Sequence, residues 1–317
     1  MAVVLYGKRE LRLPDPVHHS SFALDHVGLA VRDLEKARLA YDRLGFTLSP
    51  RSMHSGSLEP GGPVVPWGSG NHCAMFKQGY FEVLGLVEPD KPSNVKRMLD
   101  LYDGLHIVAV GCPSADKAFS DFRTAGVAVP APISLERDAA FGLRQESVRR
   151  ARFKNLYPDS EAFPEARFII IEHLTKDVLW QPHLLEHPNG AEALASVYFC
   201  VPDVDTTRNR LGSLFGAGEP NAAEQFTLSG GSLWLLTEKD IREQVPVLRS
   251  ERVHRVAATG IAVRSLERLK SLFDNNGVVY VEAASLDSQV SLWVGPGEAC
   301  NTALAFFQIQ TIQGTQG

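Results

Sequence analysis

The chain has 317 residues, of which 44% are apolar and 22% charged, and its formal net charge is -5. These fractions exclude a disordered or fibrous protein, and the length favours two domains of similar size. A mildly acidic chain without a long basic run gives no reason to expect nucleic acid, and no apolar stretch approaches the ~20 residues that span a bilayer.

The cysteines and the first residues indicate the compartment. The four cysteines are far apart in sequence and form no C-x-x-C pair, so neither a zinc knuckle nor a disulfide framework is indicated. Residues 1–16 lack a continuous apolar run and a small-residue cleavage site, so no signal peptide is expected. The sequence therefore predicts a cytoplasmic protein with no membrane partner.

A strand–helix–strand unit begins the informative part of the chain. Residues 24–34 read LDHVGLAVRDL, a strand-like run, and residues 35–46 read EKARLAYDRLGF, a helix ending at Gly45. Asp33 is the expected N-cap of that helix. The pieces NHCAMF and YFEVLGLV then predict two further strands. The unit therefore has the order βαβββ.

The same unit recurs three times. Residues 105–127, 195–216 and 257–278 each repeat a strand, a helix ending in glycine and an apolar restart. The turn-rich piece PNGAEAL at 188–194 separates the second copy from the third, so we predict two domains, 22–187 and 192–312. One copy cannot bury its own sheet face, whereas two can close into a cup. The sequence predicts an α+β fold of four βαβββ modules paired into two cup-shaped sheet domains.

Tandem βαβββ modules with a histidine on the first strand and a glutamate on the last resemble the vicinal oxygen chelate superfamily, which includes glyoxalase I, type I extradiol dioxygenases and bleomycin resistance proteins. The pieces GSGNHCAMF, GYFEVLG and WQPHLLEHPNGA also resemble glyoxalase-like domain proteins. The resemblance extends from Phe22 onward and is best in the first unit. It implies a glyoxalase/dioxygenase-like fold, a divalent metal ion and a small-molecule substrate, with a homodimer as an open possibility.

The resemblance implies four metal ligands, His26 and His106 on the first strands and Glu82 and Glu172 on the last. An unpaired carboxylate in an apolar strand costs roughly several kcal/mol, and a dication would neutralise it. Imidazole and carboxylate ligands suit Zn, Ni, Co, Mn or Fe(II). Either glutamate could also act as a catalytic base.

Two of these assignments leave an alternative open. His106 lies one residue closer than His26 to the Ala-Val pair of its strand, and a one-residue slip turns a side chain to the other face. Glu172 and His173 alternate along one strand, so only one of them can face the cup. The family pattern favours Glu172.

The C-terminal units carry no such ligands. Ser196 and Ala258 stand where the first unit has His26, and Trp234 stands where it has Glu82. The C-terminal pair is therefore predicted to be metal-free, unlike that of type I extradiol dioxygenases, where the C-terminal pair usually holds the iron.

Other polar residues have both a functional and a structural interpretation. His72 could face the cup as a catalytic base or be a structural histidine. His54 precedes the Gly/Pro-rich stretch Ser55–Gly70, which we predict to be a long loop. Arg150 and Arg152 share a strand face and so point together. A solvent-exposed strand face is favoured over binding of an anionic substrate. His183 and His187 lie between prolines and are interpreted as linker residues.

Three functions remain open from the sequence. A metal-dependent lyase or isomerase resembling glyoxalase is favoured by the two-histidine, two-glutamate set. An Fe(II) ring-cleaving dioxygenase would need only His26, His106 and Glu172 as a 2-His-1-carboxylate triad. A small-molecule binding protein would use the cup without chemistry.

Overall fold

The structure, a computed structural model, describes residues 22–57, 62–216, 224–284 and 289–309. The N-terminal segment for which no signal peptide is expected lies outside the described residues, as do residues 310–312 of the predicted second domain. In the described ranges, no helix is long and apolar enough to cross a membrane.

The first unit has the predicted βαβββ order. Its elements are β1 (Ala23–Val31), α1 (Leu34–Arg43), β2 (Ser52–Ser57), β3 (Val64–Met75) and β4 (Tyr80–Leu86). The predicted helix cap is confirmed, since the Asp33 carboxylate accepts from the Lys36 N–H at 2.9 Å. Gly45 ends the helix with a φ of 82°, a left-handed conformation that favours glycine. The Gly/Pro-rich stretch predicted as a loop lies largely in β2 and β3, whose antiparallel pairing satisfies its backbone.

The second unit repeats this order after a short helix. Its elements are α2 (Asn94–Leu99), β5 (Gly104–Gly111), α3 (Ala115–Thr124), β6 (Ile133–Phe141), β7 (Ser147–Leu156) and β8 (Arg167–His173). Ser114 caps α3, and Gly126 follows it with a φ of 72°. Helix α2 packs Val95 and Met98 against Leu84 and Ile107 on the concave side of the sheet. It therefore closes one end of the N-terminal cup.

A short connection leads to the C-terminal units. It contains α4 (Lys176–Leu179) and a 3-10 turn (Pro182–Leu184). The third unit consists of β9 (Ala191–Cys200), α5 (Val204–Phe215), β10 (Gln225–Thr227) and β11 (Ser232–Leu236), followed by α6 (Glu238–Gln244) and a 3-10 turn (Pro246–Leu248). The fourth unit consists of β12 (Val256–Val263), α7 (Leu266–Asn275), β13 (Tyr280–Ala284), β14 (Val290–Val294) and β15 (Ala303–Gln308). Within the described residues, the third unit has one strand fewer after its helix than the others.

The four units share one sheet and one core. Strand β1 pairs antiparallel with β5 and β9 with β12. The two halves are joined by the pair Val256–Leu105 between β12 and β5 and by the isolated bridges Ala23–Gly230 and Gln78–Ala193. The long helices cover one sheet face, where Tyr41, Phe122 and Phe273 belong to a common apolar core. The opposite faces curve into two cups. The predicted α+β fold of paired modules is confirmed.

The C-terminal cup is filled by apolar side chains. Tyr198 and Trp293 are fully buried on its concave face, and α6 with the turn that follows packs Ile241, Val245 and Leu248 against them. The hydroxyl groups of Ser196 and Tyr198 lie 3.0 Å apart in a hydrogen bond inside this packing. The C-terminal cup is therefore an apolar core, whereas the N-terminal cup contains a polar cavity.

Candidate active site

A cavity of about 400 Å³ occupies the concave side of the N-terminal half. Its polar lining comes from six strands of both units: His26, His54, Asn71, Glu82, Arg137 and Arg167. Alternate strand residues point to the same side, so these residues face the cup while their neighbours enter the helix-covered core. A second lobe of about 440 Å³ adjoins it and shares Asn71, Tyr80 and Arg137 with it.

Asp25 holds His26 in a defined orientation. Its Oδ1 lies 2.7 Å from His26 Nδ1, and its two carboxylate oxygens lie 3.2 and 3.1 Å from His173 Nε2. Burial alone would raise the pKa of Asp25, but the hydrogen bonds and charges of His173 and His26 hold that pKa well below its usual range. Asp25 is therefore an ionised carboxylate between two imidazoles. Because a carboxylate can only accept, Nδ1 of His26 carries the proton of this hydrogen bond, and Asp25 leaves Nε2 uncontacted.

Aromatic rings hold the Asp25–His26 pair in place. The Tyr80 ring stacks on His26 at 4.4 Å between centroids. Trp180 meets Tyr80 and His173 edge-on, at 5.7 and 4.9 Å, and its indole N–H donates to the Phe76 carbonyl at 2.9 Å. Burial raises the pKa of Tyr80 well above its usual value, so its phenol stays neutral. The Asp25–His26 pair thus has little freedom to turn.

Glu82 places a carboxylate on the neighbouring strand. It accepts a hydrogen bond from the Asn71 side-chain amide, and it lies directly across from Cys73 on β3. Burial raises the pKa of the Cys73 thiol to about 12, so this cysteine is not a nucleophile at neutral pH. Glu82 and Glu136 are the carboxylates in the lining of this cavity.

Cationic and neutral polar groups complete the lining. Arg137 crosses from β6 to donate from Nη1 to the Ser52 hydroxyl at 3.1 Å, and it forms no ion pair within the described ranges. His54 Nδ1 lies 3.0 Å from the Ser69 hydroxyl. Burial lowers the pKa of His54, with the Glu82 charge opposing this shift. Glu82 and Glu136 line the same cavity, but a guanidinium that forms no ion pair can bind an anionic group on a bound molecule.

Two sequence-predicted site residues face away from the cup. His72 lies across from Val83 in the helix-side core, and its Nδ1 donates to the Ser49 carbonyl at 2.8 Å. Glu172 accepts from the Ala115 N–H at 2.8 Å, at the start of α3. The alternation that the sequence left open is thus resolved in favour of His173, because Glu172 satisfies a free helix N–H on the outer face.

His106 also lies outside the cup. It lines a separate cavity, where its Nε2 donates to the Tyr102 carbonyl at 2.8 Å and burial lowers its pKa. A β-bulge lies at His106, since the pairing of β1 with β5 passes from Gly28–Ile107 to Leu29–Leu105 and leaves His106 unpaired. Strand alternation puts the imidazole on the side opposite the side chains of Ile107 and Ala109, which face the cup.

The two units differ at the ligand positions. His26 lies across from Ala109 and Gly28 across from Ile107, so the local two-fold relation exchanges His26 with Ile107. Glu82 lies beside Gly28 and Ile169 beside Ala109, so Ile169 has the place of Glu82. Two isoleucines therefore stand where a symmetric site would have its second histidine and glutamate.

The donor set does not fit the four-ligand metal site expected from the sequence. Of the expected ligands, only His26 and Glu82 face one cavity. Across the described stretches of chain, no three His, Cys, Asp or Glu side chains form a group that could hold one metal ion.

The remaining polar candidates form ion pairs or structural hydrogen bonds. Arg150 and Arg152 pair with Glu136 and Asp138 on the β6–β7 hairpin, and Arg150, Glu136 and Asp138 also line the second lobe. His187 accepts from the Thr47 N–H through Nδ1 at 3.0 Å and donates through Nε2 to the Met75 carbonyl at 2.8 Å. Through these two hydrogen bonds, His187 attaches the connection between the second and third units to the first unit.

The sequence reasoning missed Asp25 and Arg137. Asp25 carried a signal, because a carboxylate inside the apolar run LDHVGLAV needs a partner. Arg137 carried none, because its strand is mostly exposed and shows no apolar alternation.

Comparisons with known proteins support this fold. Residues 24–215, more than half of the chain, match the family model described as a glyoxalase-like domain. No curated protein matches the sequence. Three solved structures share the fold at low identity.

A hypothetical protein from Staphylococcus aureus has a TM-score of 0.55 and 11% identity, over 91% of this chain and all of that one (100%). A triple mutant of 4-hydroxymandelate synthase from Streptomyces coelicolor has a TM-score of 0.55 and 11% identity, over 92% and 94% of the two chains. A fusion of a xylose isomerase-like TIM barrel with 4-hydroxyphenylpyruvate dioxygenase has a TM-score of 0.51 and 12% identity, over 96% of this chain and 51% of that one.

Proposed function

Because the chain belongs to the glyoxalase-like domain family, we propose that it is a lyase or isomerase that moves a proton on a small anionic substrate in the N-terminal cup. The resemblance to this family expected from the sequence is confirmed by the matched model. The reaction is inferred from one observation: a buried carboxylate, Asp25, orients His26 toward a polar cavity.

His26 has the arrangement of a general base. The proton on Nδ1 is held by Asp25, so Nε2 can accept a proton and the carboxylate stabilises the resulting imidazolium. His26 Nε2 would take the proton from a carbon next to a carbonyl, leaving an enolate. If that carbon carries a hydroxyl group, transfer of the hydroxyl proton to the former carbonyl oxygen and return of the abstracted proton to the former carbonyl carbon complete an isomerisation. Loss of a leaving group from the carbon bonded to the deprotonated one completes an elimination.

Arg137 and Glu82 have complementary roles in this scheme. The Arg137 guanidinium would bind the anionic group or the enolate oxygen, where a fixed positive charge in a shielded cavity acts strongly. Glu82, held by Asn71, would carry the proton between the two oxygens of the substrate. The two lobes leave room for a substrate larger than a two-carbon fragment.

The geometry supports the dioxygenase alternative less well than the proposed proton transfer. Its triad of His26, His106 and Glu172 is spread over the cup, a separate cavity and the outer face of β8. The binding-protein alternative is decided by the experiment below.

The test measures proton abstraction directly. The protein is incubated in D₂O with a panel of 2-hydroxy ketones, 2-hydroxy aldehydes and 2-oxo acids that carry a carboxylate or phosphate, and NMR follows exchange of the C–H next to the carbonyl. We expect exchange with the wild type, a loss of about 10²-fold or more in His26→Gln, and wild-type rates in His72→Gln, whose imidazole faces away.

Two results would contradict the proposal. Saturable binding without exchange would identify a binding protein. Exchange that disappears after chelation and returns with a divalent metal would show that the side chains alone do not carry the reaction.

A further inference from the structure

A second cavity of about 510 Å³ lies between α2, β8 and the start of β12. It adjoins the cup, since Asn94, Met98, Tyr157 and Arg167 line both. Its floor carries the apolar side chains of Met98 and Phe168. None of the residues proposed for the reaction, His26, Asp25, Glu82 and Arg137, lines it.

One wall of this cavity is an ordered aromatic stack. The Tyr102 ring lies between His106 and His254, with centroid distances of 3.9 and 4.2 Å. The Tyr102 hydroxyl donates to the Leu105 carbonyl at 2.7 Å, and the backbone carbonyl of Tyr102 accepts from His106. The wall therefore keeps its shape without a ligand.

Three arginines, Arg97, Arg167 and Arg255, converge on this cavity without acidic partners. Nη1 of Arg255 donates to the Pro164 carbonyl at 2.8 Å, and the Arg167 guanidinium lies 5.7 Å from the Tyr157 ring centre. In the part of the chain that the structure describes, none of the three forms an ion pair. Glu165 is the one carboxylate in the lining, and Arg210 already binds it.

This charge arrangement favours an anion. Arg97 and Arg255 are exposed and Arg167 is half-buried, and within the described residues no carboxylate forms an ion pair with any of the three, so no ion pair neutralises their charge at the cavity. A guanidinium offers paired N–H donors that match the oxygens of phosphate and carboxylate. We propose that the second cavity is an anion-binding site that takes the phosphate or carboxylate group of a small molecule. The site stands independently of the reaction proposed for the cup.

The experiment titrates inorganic phosphate, and separately succinate, into the protein by calorimetry at pH 7 and 0.15 M salt. We expect saturable binding of one or both probes and an increase in Kd of about tenfold or more in Arg97→Gln and in Arg255→Gln. Arg268→Gln is the matched control, because Arg268 is an exposed arginine on α7 that does not line this cavity. Its Kd should equal that of the wild type.

Arg137→Gln distinguishes this site from the cup. Binding that is unchanged in Arg137→Gln and weakened in Arg97→Gln and Arg255→Gln supports the second cavity. Binding lost in Arg137→Gln alone places the anion in the cup and overturns the proposal. The proposal also fails if neither probe binds saturably, or if all variants bind alike while their melting temperatures stay at the wild-type value.

Discussion

Ile107 has, in the second unit, the position that His26 has in the first, because Gly28–Ile107 and His26–Ala109 are related pairs of the β1–β5 ladder. The same relation places Ile169 where the first unit has Glu82. The N-terminal cup is therefore polar on one side and apolar on the other. This asymmetry is the reason for assigning the chemistry to His26, Asp25 and Glu82 rather than to a symmetric metal centre.

Restoring the missing donors should create a metal site. We expect the double variant Ile107→His, Ile169→Glu to bind zinc at least about tenfold more tightly than the wild type, since four donors then face one cavity. Burying two polar groups should lower the free energy of unfolding of the metal-free variant by roughly 2–4 kcal/mol. Calorimetry with zinc measures the affinity. Adding His26→Ala to the double variant is the control, and equal zinc affinity in all three proteins would contradict the symmetry argument.

Asp25 should contribute to stability with a defined pH dependence. Its folded pKa lies below the unfolded value of about 3.9, so its contribution is present above pH ~4 and is lost as pH falls further. Asp25→Asn should cost roughly 2–3 kcal/mol at pH 7, because it removes a charged acceptor from His26 and His173. In Asp25→Asn, the free energy of unfolding should also fall less steeply below pH 4 than in the wild type. Urea unfolding between pH 2.5 and 7 measures both effects. If the free energy of unfolding fell equally steeply below pH 4 in the wild type and in Asp25→Asn, the assignment would be contradicted.

Four histidines should make the protein less stable at mildly acidic pH. Burial lowers the pKa of each of them in the folded state, and they are His54, His106, His187 and His254. Below the unfolded pKa of about 6.5 the unfolded chain takes up protons that the folded chain does not, so the free energy of unfolding falls from pH 7 to pH 5. Urea unfolding at half-unit steps measures this slope.

A substitution of His187 tests this pH dependence of the free energy of unfolding most directly. Its Nδ1 accepts from a backbone N–H and its Nε2 donates to a carbonyl, so only the neutral ring fits. We expect His187→Gln to be less stable at pH 7 and to have a shallower slope between pH 7 and 5. A slope equal to that of the wild type would show that His187 is not held neutral.

Substitutions of two tryptophans should distinguish an effect on stability from an effect on the reaction in the N-terminal cup. Trp293 fills the C-terminal cup, and Trp293→Ala should cost roughly 3–5 kcal/mol while leaving exchange chemistry in the N-terminal cup unchanged. Trp180 contacts Tyr80 and His173, so Trp180→Ala should lower the exchange rate as well. Thermal melting and D₂O exchange on both variants measure this contrast. A loss of exchange in folded Trp293→Ala would place function in the C-terminal half.

The fold could be predicted because its signals are periodic and repeated. The cap at Asp33, the glycine ends of the helices and the apolar strands recur with similar spacing, so errors in one unit are corrected by the others. The β2–β3 hairpin was missed because its Gly/Pro-rich strands have few apolar residues and depend on pairing with each other.

The site could be predicted only in part because side-chain direction changes with a single residue. The bulges at Asp25 and His106 place extra residues in otherwise regular strands, and no sequence pattern marks them. Strand periodicity could not choose between Glu172 and His173, since the choice depends on the start of α3 and on Asp25. His26 and Glu82 were found because both lie in regular, buried strands.

The measurement that tests the central claim most directly is a double-mutant cycle on Asp25 and His26, read as kcat/KM for deuterium exchange on the best substrate of the panel. If Asp25 acts by orienting His26, Asp25→Asn should lower the rate by on the order of 10³-fold in the wild type, and by no more than about twofold when added to His26→Gln. Independent losses that multiply in the double variant would contradict the account, because they would show that the two residues do not act as one catalytic unit.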